Sequence, residues 1–215
     1  MDSIIYILFV SIFAPILLMS LLVEKKSRLP IIFILIGIFI SVVASEVNGL
    51  LSKSLPMDMY SITVVVTPVT EEFLKALPIL YYAVVISDKK EKLFTASMAT
   101  GIGFAILENA FYLLSFPDFS MISAIIRAFG AGLMHGMCTL LVGVGISFVK
   151  KKRKLFAVGT FGLLSTAIVY HGIYNILIQS EYSIVGALLP IATYIPFLIW
   201  RFLIKKRYDQ NVKNQ

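Results

Sequence analysis

Mostly apolar stretches over residues 3–23, 30–51, 61–86, 94–116, 120–149, 155–180 and 183–204 are separated by short polar connections. Each is long enough to cross a hydrocarbon layer of roughly 30 Å as a helix. The pattern predicts an all-α, polytopic membrane bundle of about seven transmembrane helices. Runs of this length are too continuously apolar for barrel strands, which alternate at every second residue. The run over 120–149 exceeds an untilted crossing, so it is expected to tilt, bend or project into water.

Lysine and arginine mark alternate connections: Lys25, Lys26 and Arg28, then Lys89, Lys90 and Lys92, then Lys150 to Lys154, then Lys205, Lys206 and Arg207. The intervening connections offer only Lys53 as a clear loop cation. The positive-inside rule therefore predicts an outside N-terminus, a cytoplasmic C-terminus and a short basic cytoplasmic tail over 205–215. Met1-Asp2-Ser3 supplies no basic segment ahead of the first apolar run, which reads as a retained span rather than a cleaved signal.

Composition points the same way, with 59% apolar and 14% charged residues against roughly 45–50% and 25% in soluble domains. One membrane domain over 1–215 is expected, embedded in a lipid bilayer, with the bacterial cytoplasmic membrane as its location. The net charge of +7 is read as a collar facing anionic headgroups, and nucleic-acid binding is excluded because even the five-residue basic run joins two spans. The single Cys138 falls within a span and is expected to pack.

Against this background the polar residues inside the spans stand out. A charged side chain at the centre of a membrane helix costs roughly 2.5–3.5 kcal/mol, so such residues usually mark function and face the bundle interior. Glu71, Glu72 and Lys75 share the third span, Glu108 lies in the fourth, and the only two histidines, His135 and His171, lie in the fifth and sixth. Counted from the outer ends, Glu71, Glu108 and His171 lie about ten, eight and nine residues deep, roughly 12–15 Å. His135, about fifteen residues along its over-long helix, reaches a similar level if that helix tilts or extends. Four helices are thus expected to bring ionisable groups to one layer, as a catalytic site or an ion path.

Spacing suggests which faces meet. Lys75 follows Glu71 by four residues and Glu72 by three, so it can neutralise either carboxylate, leaving the other acid in need of a proton, a metal or another cation. Thr67-Pro68-Val69-Thr70 weakens the helical ladder just before the acids. Phe104 and Glu108 share a face, and Asn109 points elsewhere, as interhelical packing. His171 and Asn175 are one turn apart with Tyr174 beside them, while Gly130, Gly132 and Gly136 flank His135 and permit close helix approach, for packing or dimerisation. Glu46 and Arg127, near the outer boundary, are expected to snorkel or pair.

In order and on separate spans, Glu71-Glu72-x-x-Lys75, Phe104-x-x-x-Glu108-Asn109, His135 in a glycine-rich setting and His171-Gly172-x-x-Asn175 resemble the PrsW-like intramembrane metalloproteases. That family shares a distant fold with the CAAX prenyl endopeptidases and Abi proteins. The family pattern often has a third acid where this chain has Thr70, and an Asp where this chain, like the CAAX enzymes, has an asparagine, Asn175. The resemblance implies peptide-bond hydrolysis on a membrane-protein or peptide substrate, such as a single-pass anti-sigma factor.

Peptide hydrolysis needs a base for water, an electrophile for the carbonyl oxygen and an acid for the leaving amine. Under the resemblance, Glu71 serves as general base supported by Glu72, Lys75 as their counter-cation and Asn175 as oxyanion donor. Glu108, His135 and His171 hold a zinc ion. A metal-free mechanism uses the same side chains. The alternatives are a proton-coupled transporter or channel, and a noncatalytic immunity or binding protein of the same fold.

Overall fold

Seven helical stretches form in the order expected. The computed structural model describes residues 2–115, 121–150, 153–196 and 199, and no strand occurs among them. Helices α1 (Asp2–Leu22), α2 (Arg28–Ser54), α5 (Lys90–Ser115), α6 (Met121–Ile146) and α7 (Arg153–Ile178) are each long and apolar enough to cross a membrane. The third predicted span is segmented into α3 (Met59–Ser61), a π-helical turn (Ile62–Val66), α4 (Thr67–Tyr81) and a second π-helical turn (Tyr82–Ile86). The last described helix, α8, covers Ser183–Pro196. The remainder of the predicted 183–204 run, Ile199 apart, and the 205–215 tail lie outside the described residues.

Long apolar side chains such as Leu22, Val85 and Phe161 are exposed around the circumference, as lipid contact requires. Helix α4 is patterned the other way round from a soluble amphipathic helix. Val69, Phe73, Leu77 and Tyr81, spaced by four, face outward, while Pro68, Glu71, Glu72, Lys75 and Ile79 are buried. Its charged stripe therefore points into the bundle. Asp58 caps the start of this segment by accepting the Ser61 N–H at 2.7 Å, and that bond holds its carboxyl below the usual carboxylate range.

Helix α5 is the central slab, packed between α2 and α6, while α7 packs on α6, and α4 touches α2, α5, α6 and α7. Close approach depends on small residues. A Cβ at Gly37 would lie 2.1 Å from Thr100 O, and one at Gly103 would lie 2.1 Å from Ile34 O, so α2 and α5 meet backbone to backbone. A Cβ at Gly101 would lie 2.2 Å from His135 O, which brings α6 equally close on the other side. Of the expected trio around His135, Gly130 and Gly136 sit at contacts, whereas Gly132 faces open space.

The over-long fifth run is not helical to its end. Helix α6 stops at Ile146, where Phe148 N–H and Val149 N–H turn back to Gly145 O and Ile146 O. Its 26 residues still span about 39 Å, more than a hydrocarbon core needs. Gly101→Ala and Gly103→Ala should each destabilise the protein by about 1–3 kcal/mol, because backbone rather than a flexible side chain must move. Gly132→Ala should unfold at or slightly above the wild-type temperature. Thermal unfolding in detergent checks the contrast, and equal behaviour of all three variants would refute the packing described.

Candidate active site

The polar residues of α4 act through a helix that has been loosened locally. In the first π-helical turn the Thr67 N–H donates to Ile62 O, five residues back rather than four. Pro68 has no N–H with which to continue either register, so the carbonyl of Thr63, whose α-helical donor Thr67 turns to Ile62, loses its in-helix donor beside the carbonyl of Val64. Helix α7 covers them: Asn175 Nδ2 donates to Thr63 O at 3.0 Å, and Gly172 lies so close that an added Cβ would meet Val64 O at 3.0 Å. The same register carries His171 against α4. His171-Gly172-x-x-Asn175 is thereby a docking motif for the broken segment as well as a source of an imidazole.

At the centre lies Lys75, wholly buried beside wholly buried Glu72. Its Nζ donates to Glu72 Oε1 at 2.6 Å, meets His135 Nδ1 at 2.8 Å and lies 4.5 Å above the Phe104 ring. Three ammonium hydrogens thus find three partners. Because an ammonium only donates, His135 Nδ1 accepts, and the ring hydrogen resides on Nε2, which donates to Glu108 Oε2 at 2.6 Å. Glu108 Oε1 lies 3.6 Å from the Arg127 guanidinium, which stacks 3.5 Å over the Tyr112 ring.

His171 is held by the same carboxylate that holds Lys75. Its Nδ1 donates to Glu72 Oε1 at 2.9 Å, which leaves the lone pair on Nε2, 3.9 Å from Glu71 Oε2. A carboxylate fixing one imidazole nitrogen so that the other is free is the arrangement that orients histidine ligands at metal sites. The two imidazole rings stand edge to face with centroids 4.8 Å apart. Glu71 is steadied on its other oxygen by Asn48 Nδ2 at 3.4 Å.

The residues expected to converge, Glu71, Glu72, Lys75, Glu108, His135 and His171, therefore form one connected cluster drawn from α4, α5, α6 and α7. Asn175 joins through the π-helical turn, with its amide on Thr63. Asn48 on α2 is a member that sequence reasoning passed over, although an asparagine in an apolar span carries the same signal as the others. Glu46 accepts the Tyr6 hydroxyl at 2.7 Å, and Arg127 pairs as described.

Glu71, His135 and His171 offer ligand atoms within 4.8 Å of one another, and two imidazoles with a carboxylate are a ligand set found in zinc enzymes. Glu108 touches His135 directly. Both His135 nitrogens are engaged, so ligation by this ring requires exchange of Lys75 or Glu108 for the ion. The unmet polar atoms support the fit. Among the described residues, seven buried side-chain nitrogen and oxygen atoms lack a hydrogen-bond partner. All but Thr160 Oγ1 lie on Asn48, Glu71, Glu72, Asn109, Arg127 and Tyr174, in or next to the cluster. Such a concentration marks a place adapted to an ion, water or substrate.

Fold and site together define a polytopic helical membrane protein with a buried carboxylate and imidazole centre of the kind used in hydrolysis. Residues 25–201 match the PrsW family intramembrane metalloproteases, and the chain belongs to that family. It is 29% identical over 223 residues to Protease PrsW of Clostridioides difficile (strain 630), an alignment covering 93% of this chain and 89% of the relative. No solved structure matches the chain.

Two stability measurements check the geometry. Lys75→Met strands Glu72 in a dry interior and should cost about 3–5 kcal/mol, part of which Glu72→Gln restores in the double variant. A single variant with the wild-type unfolding temperature would be incompatible with the buried pair. Asn175→Leu leaves the Thr63 carbonyl without a donor and should cost about 1–3 kcal/mol, but less in a Pro68→Ala background, where residue 68 regains an N–H. Equal losses in the two backgrounds would count against the docking role of Asn175.

Proposed function

We propose that this protein hydrolyses a peptide bond of a membrane-associated protein segment, within the bundle, with Glu71 as the reacting carboxylate. One observation carries the reading: Glu71 Oε2 is buried without a hydrogen-bond partner and lies 3.9 Å from the lone pair of His171 Nε2. That separation is too long for a direct hydrogen bond and short enough for one water oxygen to contact both. Membership of a protease family favours hydrolysis over proton-coupled transport.

In this reading Glu71 Oε2 accepts a proton as the water oxygen bonds to the scissile carbonyl carbon. The same proton passes to the amide nitrogen as the carbon–nitrogen bond breaks, which leaves Glu71 as it began. Glu72 orients His171 and anchors Lys75. Lys75 fixes the tautomer of His135, and Glu108 holds that ring from the other side. Asn175 positions α7 against the π-helical turn. The residues that would hold a zinc ion are His135, His171 and Glu108, which touches His135, so that Glu71 stays free to act as the base. When bound, zinc supplies Lewis-acid polarisation of water and carbonyl.

A single-pass protein such as an anti-sigma factor is the proposed substrate class. The chain is read as one peptidase domain of the bacterial cytoplasmic membrane, its N-terminus outside and its basic tail in the cytoplasm. Full-length protein in detergent should cleave a candidate single-pass substrate. Glu71→Gln and His171→Ala should each slow cleavage by roughly a hundredfold or more while both variants remain folded, Glu71→Gln with an unfolding temperature close to wild type. Zinc measured in the purified protein should fall in both His135→Ala and His171→Ala. Full activity in the Glu71 and His171 variants would refute the assignment.

A further inference from the structure

Next to the catalytic cluster lies a cleft of about 220 Å³, below the roughly 300 Å³ at which pockets for drug-sized ligands begin. It is therefore of a size for one or two side chains. Tyr112 from α5, Ile126 and Arg127 from α6, Ile178 from α7, and Ser183 and Ile184 from the first turn of α8 line it, so four helices meet at one end of the bundle. Its walls are mostly apolar, with Tyr112 and Ser183 as neutral polar members, and the charged group lining it is a cation.

We propose that this cleft is a substrate subsite that binds a carboxylate on the chain being cleaved, with Arg127 as the specificity-determining residue. The inference rests on the peptidase reading above. Arg127 is only 8% exposed, and its Nε has no hydrogen-bond partner among the described residues. Its contact with Glu108 Oε1, at 3.6 Å, is an ion pair longer than a hydrogen bond, and it occupies one side of a guanidinium that offers five donors.

Stacking on Tyr112 at 3.5 Å fixes the plane of the fork, the condition for paired hydrogen bonds to a carboxylate. A neutral guest would leave the Arg127 Nε–H unmet in a low-dielectric setting, which is how a buried polar pocket rejects the wrong ligand.

The subsite is also placed to set register. Arg127 touches Glu108, Glu108 touches His135, and His135 touches Lys75 beside the Glu72 that holds His171. A carboxylate seated on Arg127 puts the neighbouring peptide bonds within a few residues of Glu71 and His171. That carboxylate belongs either to an internal Asp or Glu or to the end of the substrate chain.

The test is to expose full-length wild-type protein in detergent to a proteome-derived peptide library and identify cleaved bonds by mass spectrometry. Asp and Glu should be enriched at one position within about four residues of the cleaved bond, or cleavage should occur at a fixed distance from peptide C-termini. The first outcome identifies a side-chain carboxylate and the second a terminal one. Synthetic pairs differing only in Glu or Gln at that position, or in a free or amidated terminus, should differ by roughly tenfold or more in rate with the wild-type protein alone. Arg127→Gln should abolish the discrimination and Arg127→Lys should restore part of it. Absence of any acidic preference in the wild type, or its persistence unchanged in Arg127→Gln, overturns the subsite. Failure of the wild type to cleave any peptide or single-pass protein overturns the peptidase reading, and the subsite with it.

Discussion

Lys75 and Glu72 are both sealed from solvent, and a charge pair in that position is tolerated only when its remaining hydrogen-bonding capacity is met. The architecture of the bundle follows from meeting it. One ammonium needs three partners, and they come from α4 itself, from the imidazole on α6 and from the aromatic ring on α5. Glu72 in turn requires His171 from α7. Four helices are pinned to a common depth by the needs of two side chains, and the hydrophobic effect could not do this, since lipid is as apolar as the helix surfaces.

Close packing lets these short side-chain bonds form. Gly37, Gly101 and Gly103 bring α2, α5 and α6 to backbone contact, which shortens the distance that His135 and Glu108 must bridge. Pro68 has the complementary effect within α4. By breaking the ladder above Glu71 it frees the Thr63 carbonyl to bind α7, and so a defect in one helix becomes the dock for another. Rigid small-residue contacts on one side and a loosened turn on the other hold a polar centre whose unmet atoms are concentrated in and beside the cluster.

Much of this was legible from the chain. The all-helical class, the helix order and the buried ionisable residues were visible because lipid penalises charge so strongly that each exception carries information. Glu71, Glu72, Lys75, Glu108, His135 and His171 could be singled out that way. Asn48 obeyed the same rule and was passed over, because an uncharged amide in an apolar run gives a weaker signal. Arg127 was expected to snorkel or to pair, and it pairs with Glu108 and lies over Tyr112, a choice between the two that position along the chain could not make. The end of the over-long fifth run and the segmentation of the third were not readable, since an apolar window records hydropathy and not hydrogen-bond register.

The sequence by itself determined that these helices lie in a membrane and that their polar residues share a layer, because both depend on local composition and on a fixed rise per residue. Which acid meets which imidazole was decided only by tertiary structure. Helical spacing assigns side chains to faces within one helix. The pairing of Glu72 with His171, of Glu108 with His135, and of Asn175 with the Thr63 carbonyl depends on how closely separate helices approach and how they are rotated. Those quantities are set by backbone contacts between residues far apart in the chain, and no local pattern encodes them.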